Sequence, residues 1–392
     1  MEKRDNPYSP GAGRIPFALA GREKNIEDFE VAMARIEMGA DARPMALYGL
    51  RGVGKTVLLR DLYSRSKRKG WIAAYIESNP DKDLRALLGE ELEDVLADLA
   101  KPGAGETILK AVKTALSFIR FDVNADGGLS FGVDLSRIGG SNAATGNISG
   151  DLGRVIRDLS AACEKTGTGV ALFFDEAQDF SAEDLRAINT LSHRAGQERY
   201  RLAVTVAGLP TLPGRLADIN SYAERLYQFG ELGELDEAAA RTALLEPSSA
   251  KEVVWEEAAV SAVVKATAGF AYFIQEYGYA AWDVAESSPI TGPDVEAAKE
   301  AAIRQLDLGF FRSRWDRASD AQKAFMRAMA ADGDRPSKAA EIATRLGVEK
   351  NAVSPRRAEL IEKGLIYSSA HGMVAFTVPQ MAAFINRQAG EE

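Results

Sequence analysis

Eight consecutive residues, Gly49-Leu50-Arg51-Gly52-Val53-Gly54-Lys55-Thr56, carry the plainest chemistry in this chain. Glycines at that spacing let successive backbone N–H groups turn inward toward phosphate oxygens. An apolar strand over residues 44–48 runs into the turn, and a helix starting at Lys55 leaves it, adding its positive N-terminal end. Lys55 would neutralise the β- and γ-phosphates of a nucleotide, and the Thr56 hydroxyl would take one position on Mg²⁺. The expected nucleotide contacts are therefore Gly49, Gly52, Val53, Gly54, Lys55, Thr56 and Val57, with ATP or ADP as ligand.

A second constellation is Val170-Ala171-Leu172-Phe173-Phe174-Asp175-Glu176. A continuous apolar strand that ends in two carboxylates is costly unless those charges find a partner. Mg²⁺ supplies one. Asp175 would then hold the metal's shell, and Glu176 would orient and deprotonate the water that attacks the γ-phosphate. The second carboxylate favours hydrolysis over binding alone, with Lys55 and Glu176 as catalytic groups.

These motifs need a strand–loop–helix–strand frame. The pattern predicts a helix over residues 23–38, strands at 44–48, 71–76, 170–174 and 202–207, and a short fifth strand near 226–229. Helices are expected at 152–166 and 182–195. Residues 1–16, rich in Pro, Gly and Asn, read as an extended arm. Residues 118–150 read as an insertion: a β-hairpin, then a mobile Gly/Ser/Asn tract from Gly139. Beyond Asp236, a helix cap, the pattern is helical, with helices at 256–268, 271–284 and 293–307. A third unit opens with a Ser319-Asp320-Ala321-Gln322 capping box, then two short helices and a hairpin turning at His371-Gly372, as in a winged helix-turn-helix. The fold class is thus α/β, a parallel sheet flanked by helices. The expected domains are a core over 1–232, a helical lid over 233–311 and a winged helix over 312–392.

Gly21-Arg22-Glu23 behind the arm, residues 49–56, and Phe173-Phe174-Asp175-Glu176-Ala177-Gln178 together resemble the AAA+ ATPases of the origin-recognition and replication-initiator type, and the related prokaryotic STAND ATPases. The resemblance covers roughly the whole chain. It implies that Phe17 and Arg22 lie near the adenine, against the plainer reading of a packed aromatic and a surface charge. It also implies an arginine finger at Arg225, acting on a neighbouring subunit of a nucleotide-dependent homo-oligomer. The alternative is a solvated pair with Glu224. Two departures stand out. The fourth strand ends Val206-Ala207-Gly208-Leu209, where such ATPases carry a polar sensor, and only Thr205 is polar nearby. Residues 268–272 lack the lid's sensor arginine or proline.

Composition limits the partners. One cysteine, Cys163, excludes an internal disulfide, and two distant histidines, His193 and His371, exclude a Cys/His zinc site. No run is long enough to span a membrane, so the expected location is cytoplasmic. The net charge of −9 argues against a chain coated in nucleic acid. Residues 313–392, with twelve Lys/Arg against ten Asp/Glu, are locally basic. Lys350, Arg356 and Arg357 could meet duplex DNA; a protein or autoinhibitory contact is the alternative, because the wing carries no basic residue.

Overall fold

Strands β1 (Met45–Tyr48), β2 (Ile72–Glu77), β3 (Val170–Asp175), β4 (Leu202–Gly208) and β5 (Gln228–Glu231) form one sheet in the order β2-β3-β4-β1-β5, every pair parallel. In this computed structural model residues 1–11, 13–99, 105–119 and 145–389 are described. A parallel pair needs a crossover, which explains the helices between successive strands. β3 and β4 are buried along their whole length, so both faces are apolar and the strands read as unbroken hydrophobic runs. β5 sits at the edge and is partly exposed, which is why its residues carry so weak a signal. The helix Ala223–Leu226 takes the first residue of the strand expected near 226–229.

Two compact units divide the chain. One comprises Met1–Gly21, Gly49–Val57 and Leu232–Glu392; the other comprises Arg22–Tyr48 and Leu58–Glu231.

The second of these holds the sheet. The helix Glu23–Glu37 buries Phe29, Met33 and Ile36, and the Phe29 ring lies 5.6 Å from that of Phe173 on β3. Two helices that the strand-centred reading passed over, Leu84–Leu99 and Glu106–Ile119, precede β3. The expected hairpin begins at Phe118, but Phe118 and Ile119 complete the second of these helices. Its apolar positions Leu109, Val112 and Leu116 recur at helical spacing and are buried. The remainder of the hairpin and the start of the Gly/Ser/Asn tract lie outside the described residues.

The end of that tract is built rather than loose. Asn147 accepts a hydrogen bond from Gly150 N and caps the helix Ile148–Glu164, which starts earlier than residue 152. Asp151, fully buried, accepts from Arg85 Nη2 at 2.8 Å, from the Thr145 hydroxyl at 2.7 Å and from Thr145 N at 3.0 Å, and also pairs with Arg154. Burial alone pushes the Asp151 carboxyl up; these donors more than offset it and hold it below the ordinary range. Farther along the helix, Cys163 is 2% exposed, and burial pushes its thiol up to about 11.

The first unit is largely helical: Glu237–Ser249, Glu257–Thr267, Ala271–Val284 and Gly292–Gln305. Asp236 accepts from Ala239 N, the cap the sequence indicates. The N-terminal arm forms a short 3₁₀ turn, Lys3–Asp5, and then fastens to these helices. Asn6 donates to Tyr279 O and to Asp283 Oδ1, and the Tyr8 hydroxyl donates to Leu244 O at 2.6 Å.

A π-helical stretch, Leu306–Phe311, leads into the C-terminal elements. The helix Asp320–Ala330 carries the Ser319–Gln322 capping box. β6 (Ser337–Lys338), β7 (Ile366–Ala370) and β8 (Met373–Phe376) make an antiparallel sheet of order β6-β8-β7 around the helices Ala339–Leu346 and Ser354–Glu362. β6 and a final helix, Met381–Ala389, add to the elements expected there. That last helix packs back: the Phe384 ring stacks on Phe311 at 5.3 Å, and Arg387 pairs with Asp307.

Candidate nucleotide site

β1 leads straight into Gly49. An ideal Cβ at Gly49 would sit 2.1 Å from Leu232 O, so nothing larger fits. Gly52 and Gly54 take φ of +85° and +95°, a backbone that side chains rarely adopt. The loop therefore requires its glycines for space at one position and for conformation at two others. Lys55, 7% exposed, donates through Nζ to Gly49 O at 2.9 Å and Leu50 O at 2.8 Å, holding its ammonium against the loop. Val53 is buried, while Thr56 and Val57 are partly exposed at the start of the helix Lys55–Arg68.

Within the same unit the loop is gripped from two sides. Arg51 N donates to Thr377 O at 3.0 Å, just past β8, and Tyr272 N donates to Gly52 O at 3.1 Å. Phe310 stacks on Tyr272 at 5.0 Å between ring centres, and its edge would lie 3.3 Å from a Cβ on Gly52. Thr377, Tyr272 and Phe310 carry no signal in the sequence that ties them to the loop. Burial raises the Glu276 carboxyl, which accepts from the Tyr272 hydroxyl.

In the other unit the acidic pair stands where β3 ends. Because β1, β3 and β4 are parallel, their C-terminal ends share one edge of the sheet, the edge at which such sheets bind ligands. Asp175 is 2% exposed: its Oδ1 accepts from Glu176 N at 2.9 Å, and its Oδ2 accepts from the Tyr75 hydroxyl at 2.5 Å. The Arg60 guanidinium lies 4.2 Å above the Tyr75 ring. Glu77 follows in register opposite Asp175, and burial, then the charge of Asp175, raises its carboxyl above the ordinary range. Glu176 adopts φ 48°, ψ 42°, a left-handed backbone unusual for glutamate. Gln178 bonds to its carboxylate, with Nε2 2.7 Å from Oε2. Tyr75 and Glu77 were invisible as site residues, since only the β2–β3 register brings them to Asp175. Oxygen donors of this kind suit Mg²⁺, which needs few protein ligands when phosphates supply the rest. Among the described residues no group of three His, Cys, Asp or Glu side chains could hold a metal by itself.

Replacing Tyr75 by Phe leaves Asp175 short of a buried donor. The expected loss is about 1.5–3 kcal/mol of stability, read by urea unfolding of the full chain.

Phe17 is 63% exposed, whereas Arg22, at the N-cap of Glu23–Glu37, is buried, and burial lowers its guanidinium against the opposing effect of Glu23. Arg225 is exposed on Ala223–Leu226, and its carbonyl accepts from Arg43. Thr205 lies inside β4 opposite Met45, well short of the strand's end, and among the described residues its buried hydroxyl has no hydrogen-bond partner. Lys350 lies on the 3₁₀ turn Lys350–Val353; Arg356 and Arg357 are half-buried on Ser354–Glu362, where Arg357 donates to the Ser368 hydroxyl on β7. Lys363 is tied inward, to Arg317 O and Gln322 Oε1. No described helix is long and apolar enough to cross a membrane.

A parallel sheet of this order, with a glycine loop and lysine after β1 and paired carboxylates closing β3, defines a P-loop nucleotide-binding fold. Residues 18–205, just under half of the chain, match the AAA ATPase domain family. Residues 308–385 match a domain of unknown function (DUF8462). Among solved structures the fold is similar to that of a Walker-type ATPase of Pyrococcus abyssi, at TM-score 0.60 and 15% identity, covering 94% of this chain and 96% of that one. Weaker likenesses are to the Aeropyrum pernix Orc1 protein solved in complex with DNA (TM-score 0.45, 17% identity, 96% and 94% covered) and to Cdc6p of Pyrobaculum aerophilum (0.47, 14%, 100% and 98%). No curated protein matches the chain.

Proposed function

We propose that this chain hydrolyses Mg²⁺-bound ATP and uses the reaction to drive a conformational or assembly switch. Lys55 and the loop amides hold the phosphates, Thr56 and Asp175 hold the metal, and Glu176 activates the attacking water. The observation that carries this reading is that β3 closes on the pair Asp175–Glu176 while β1 runs into a glycine loop and Lys55. When bound, Mg²⁺ would supply charge neutralisation for the phosphates. The test is ATP turnover together with binding of a fluorescent ATP analogue. Lys55→Ala should lower turnover by about 10²-fold or more and weaken binding. Turnover that survives that substitution would sink the proposal.

Two readings of the load differ in what residues 312–392 touch. In the first they form a winged helix that grips duplex DNA within a nucleotide-dependent homo-oligomer, with Arg225 reaching a neighbour's γ-phosphate; the local basic charge supports it. In the second, of STAND type, they restrain the nucleotide loop of their own chain. The bond from Arg51 N to Thr377 O supports that reading, and Phe310, two residues before that segment, packs at Gly52 on the same loop. DNA-stimulated turnover whose dependence on DNA weakens steeply with salt is expected of the first. Faster nucleotide exchange in Phe310→Ala, with no response to DNA, is expected of the second.

A further inference from the structure

We propose that Gln178 is a positioning residue that sets the Glu176 carboxylate and couples it to the end of β4, in place of the polar sensor side chain that β4 lacks. The proposal rests on the reading of Glu176 as general base.

Gln178 is 8% exposed and makes three bonds. Nε2 donates to Glu176 Oε2 at 2.7 Å and to Asp179 Oδ2 at 3.0 Å, while Oε1 accepts from Leu209 N at 2.9 Å. These partners fix the orientation of the amide. Turned over, its oxygen would face two carboxylates and its NH₂ would face an N–H. The amide therefore ties the backbone just beyond β4 to the carboxylate just beyond β3.

Gly208 makes the approach possible. A Cβ there would stand 2.7 Å from Gln178 Oε1 and 3.1 Å from Leu212 Cδ2. Any larger residue pushes the amide off Leu209 N. The apolar run Val206-Ala207-Gly208-Leu209, which offers no sensor side chain, thus presents a backbone donor instead. With Oε2 of Glu176 held by Gln178, the carboxylate is aimed by a group whose own position depends on the loop leaving β4. The left-handed backbone of Glu176, closed by Asp179 N donating to Glu176 O at 2.8 Å, keeps both ends of the bond on one short turn.

The experiment uses the full chain with Gln178→Met, which keeps length and loses every bond, and Gly208→Ala, which disturbs the amide from the far side. Turnover at saturating Mg²⁺·ATP, affinity for a fluorescent ADP analogue and the stoichiometry of that binding are measured on each. Both variants are expected to lose about 10-fold or more in kcat, with ADP affinity within about twofold of the parent. A purely structural role would instead lower the binding stoichiometry and leave kcat per bound site unchanged, which overturns the proposal. Should Gly208→Ala fail to fold, Gln178→Met alone decides. Parental kcat in Gln178→Met, while Glu176→Gln is inactive, overturns this inference and leaves the ATPase reading standing. Parental kcat in Glu176→Gln overturns the reading of the base itself.

Discussion

Exchanging Glu176 for Gln is expected to lower kcat by about 10²–10⁴-fold while nucleotide affinity stays near the parental value. The substitution keeps the size and the hydrogen-bonding reach of the side chain and removes its capacity to take a proton. Asp175 keeps its bonds from Tyr75 and from the backbone of residue 176, so the neighbouring carboxylate holds its place. A loss in kcat without a loss in affinity marks an interaction made in the transition state. Single-turnover measurements alongside equilibrium binding separate the two. If affinity and kcat fall together, residue 176 holds substrate rather than activating water.

The second large effect concerns stability. Asp151→Ala removes an acceptor of the buried Arg85 guanidinium, 6% exposed, along with the partner of both Thr145 donors. Deleting one member of a buried pair leaves a charge in a poor solvent, and about 3–5 kcal/mol is the expected cost, read from urea unfolding of the full chain. The pH dependence has a definite sign. A carboxyl whose folded value is depressed contributes stability in full above its unfolded value, here the ordinary 3.8, and loses it as pH falls through the folded value. Acid unfolding of the parent chain should therefore steepen below about pH 4, and Asp151→Ala should lack that component. A flat difference between the two chains across that window would show that Asp151 is not charged in the folded state.

The sheet was legible because a strand buried on both faces must be largely apolar, and residues 170–174 are apolar throughout, as are residues 202–208 but for Thr205. Helix starts were legible where a side chain closes its own turn, as at Asp236 and Ser319. The glycine loop and the acidic pair were legible for the same local reason: their chemistry lies in contiguous residues. What failed was longer-range. Phe118 and Ile119 look like strand residues by composition, yet the apolar spacing behind them continues a helix. Asp151 directly follows a run of Gly, Ser and Asn that reads as loose, and Arg85, far back in the chain, helps to make it a buried anchor. Tyr75 meets Asp175 through strand register, and Gln178 meets Leu209 across two loops. Such pairings depend on which strands become neighbours, and no window of sequence contains that information. Lys363 shows the converse: a lysine at a surface spacing is spent inward on Arg317 and Gln322.

Cys163 gives this chain a built-in clock. It is the single thiol, it faces the core from the helix that Asp151 anchors, and burial keeps it protonated well beyond neutral pH. A thiol reagent can reach it only when that helix lifts, so the labelling rate reports the frequency of opening without any engineered probe. Compared with and without nucleotide, that rate would reveal whether ligand binding stiffens a helix that carries none of the phosphate contacts.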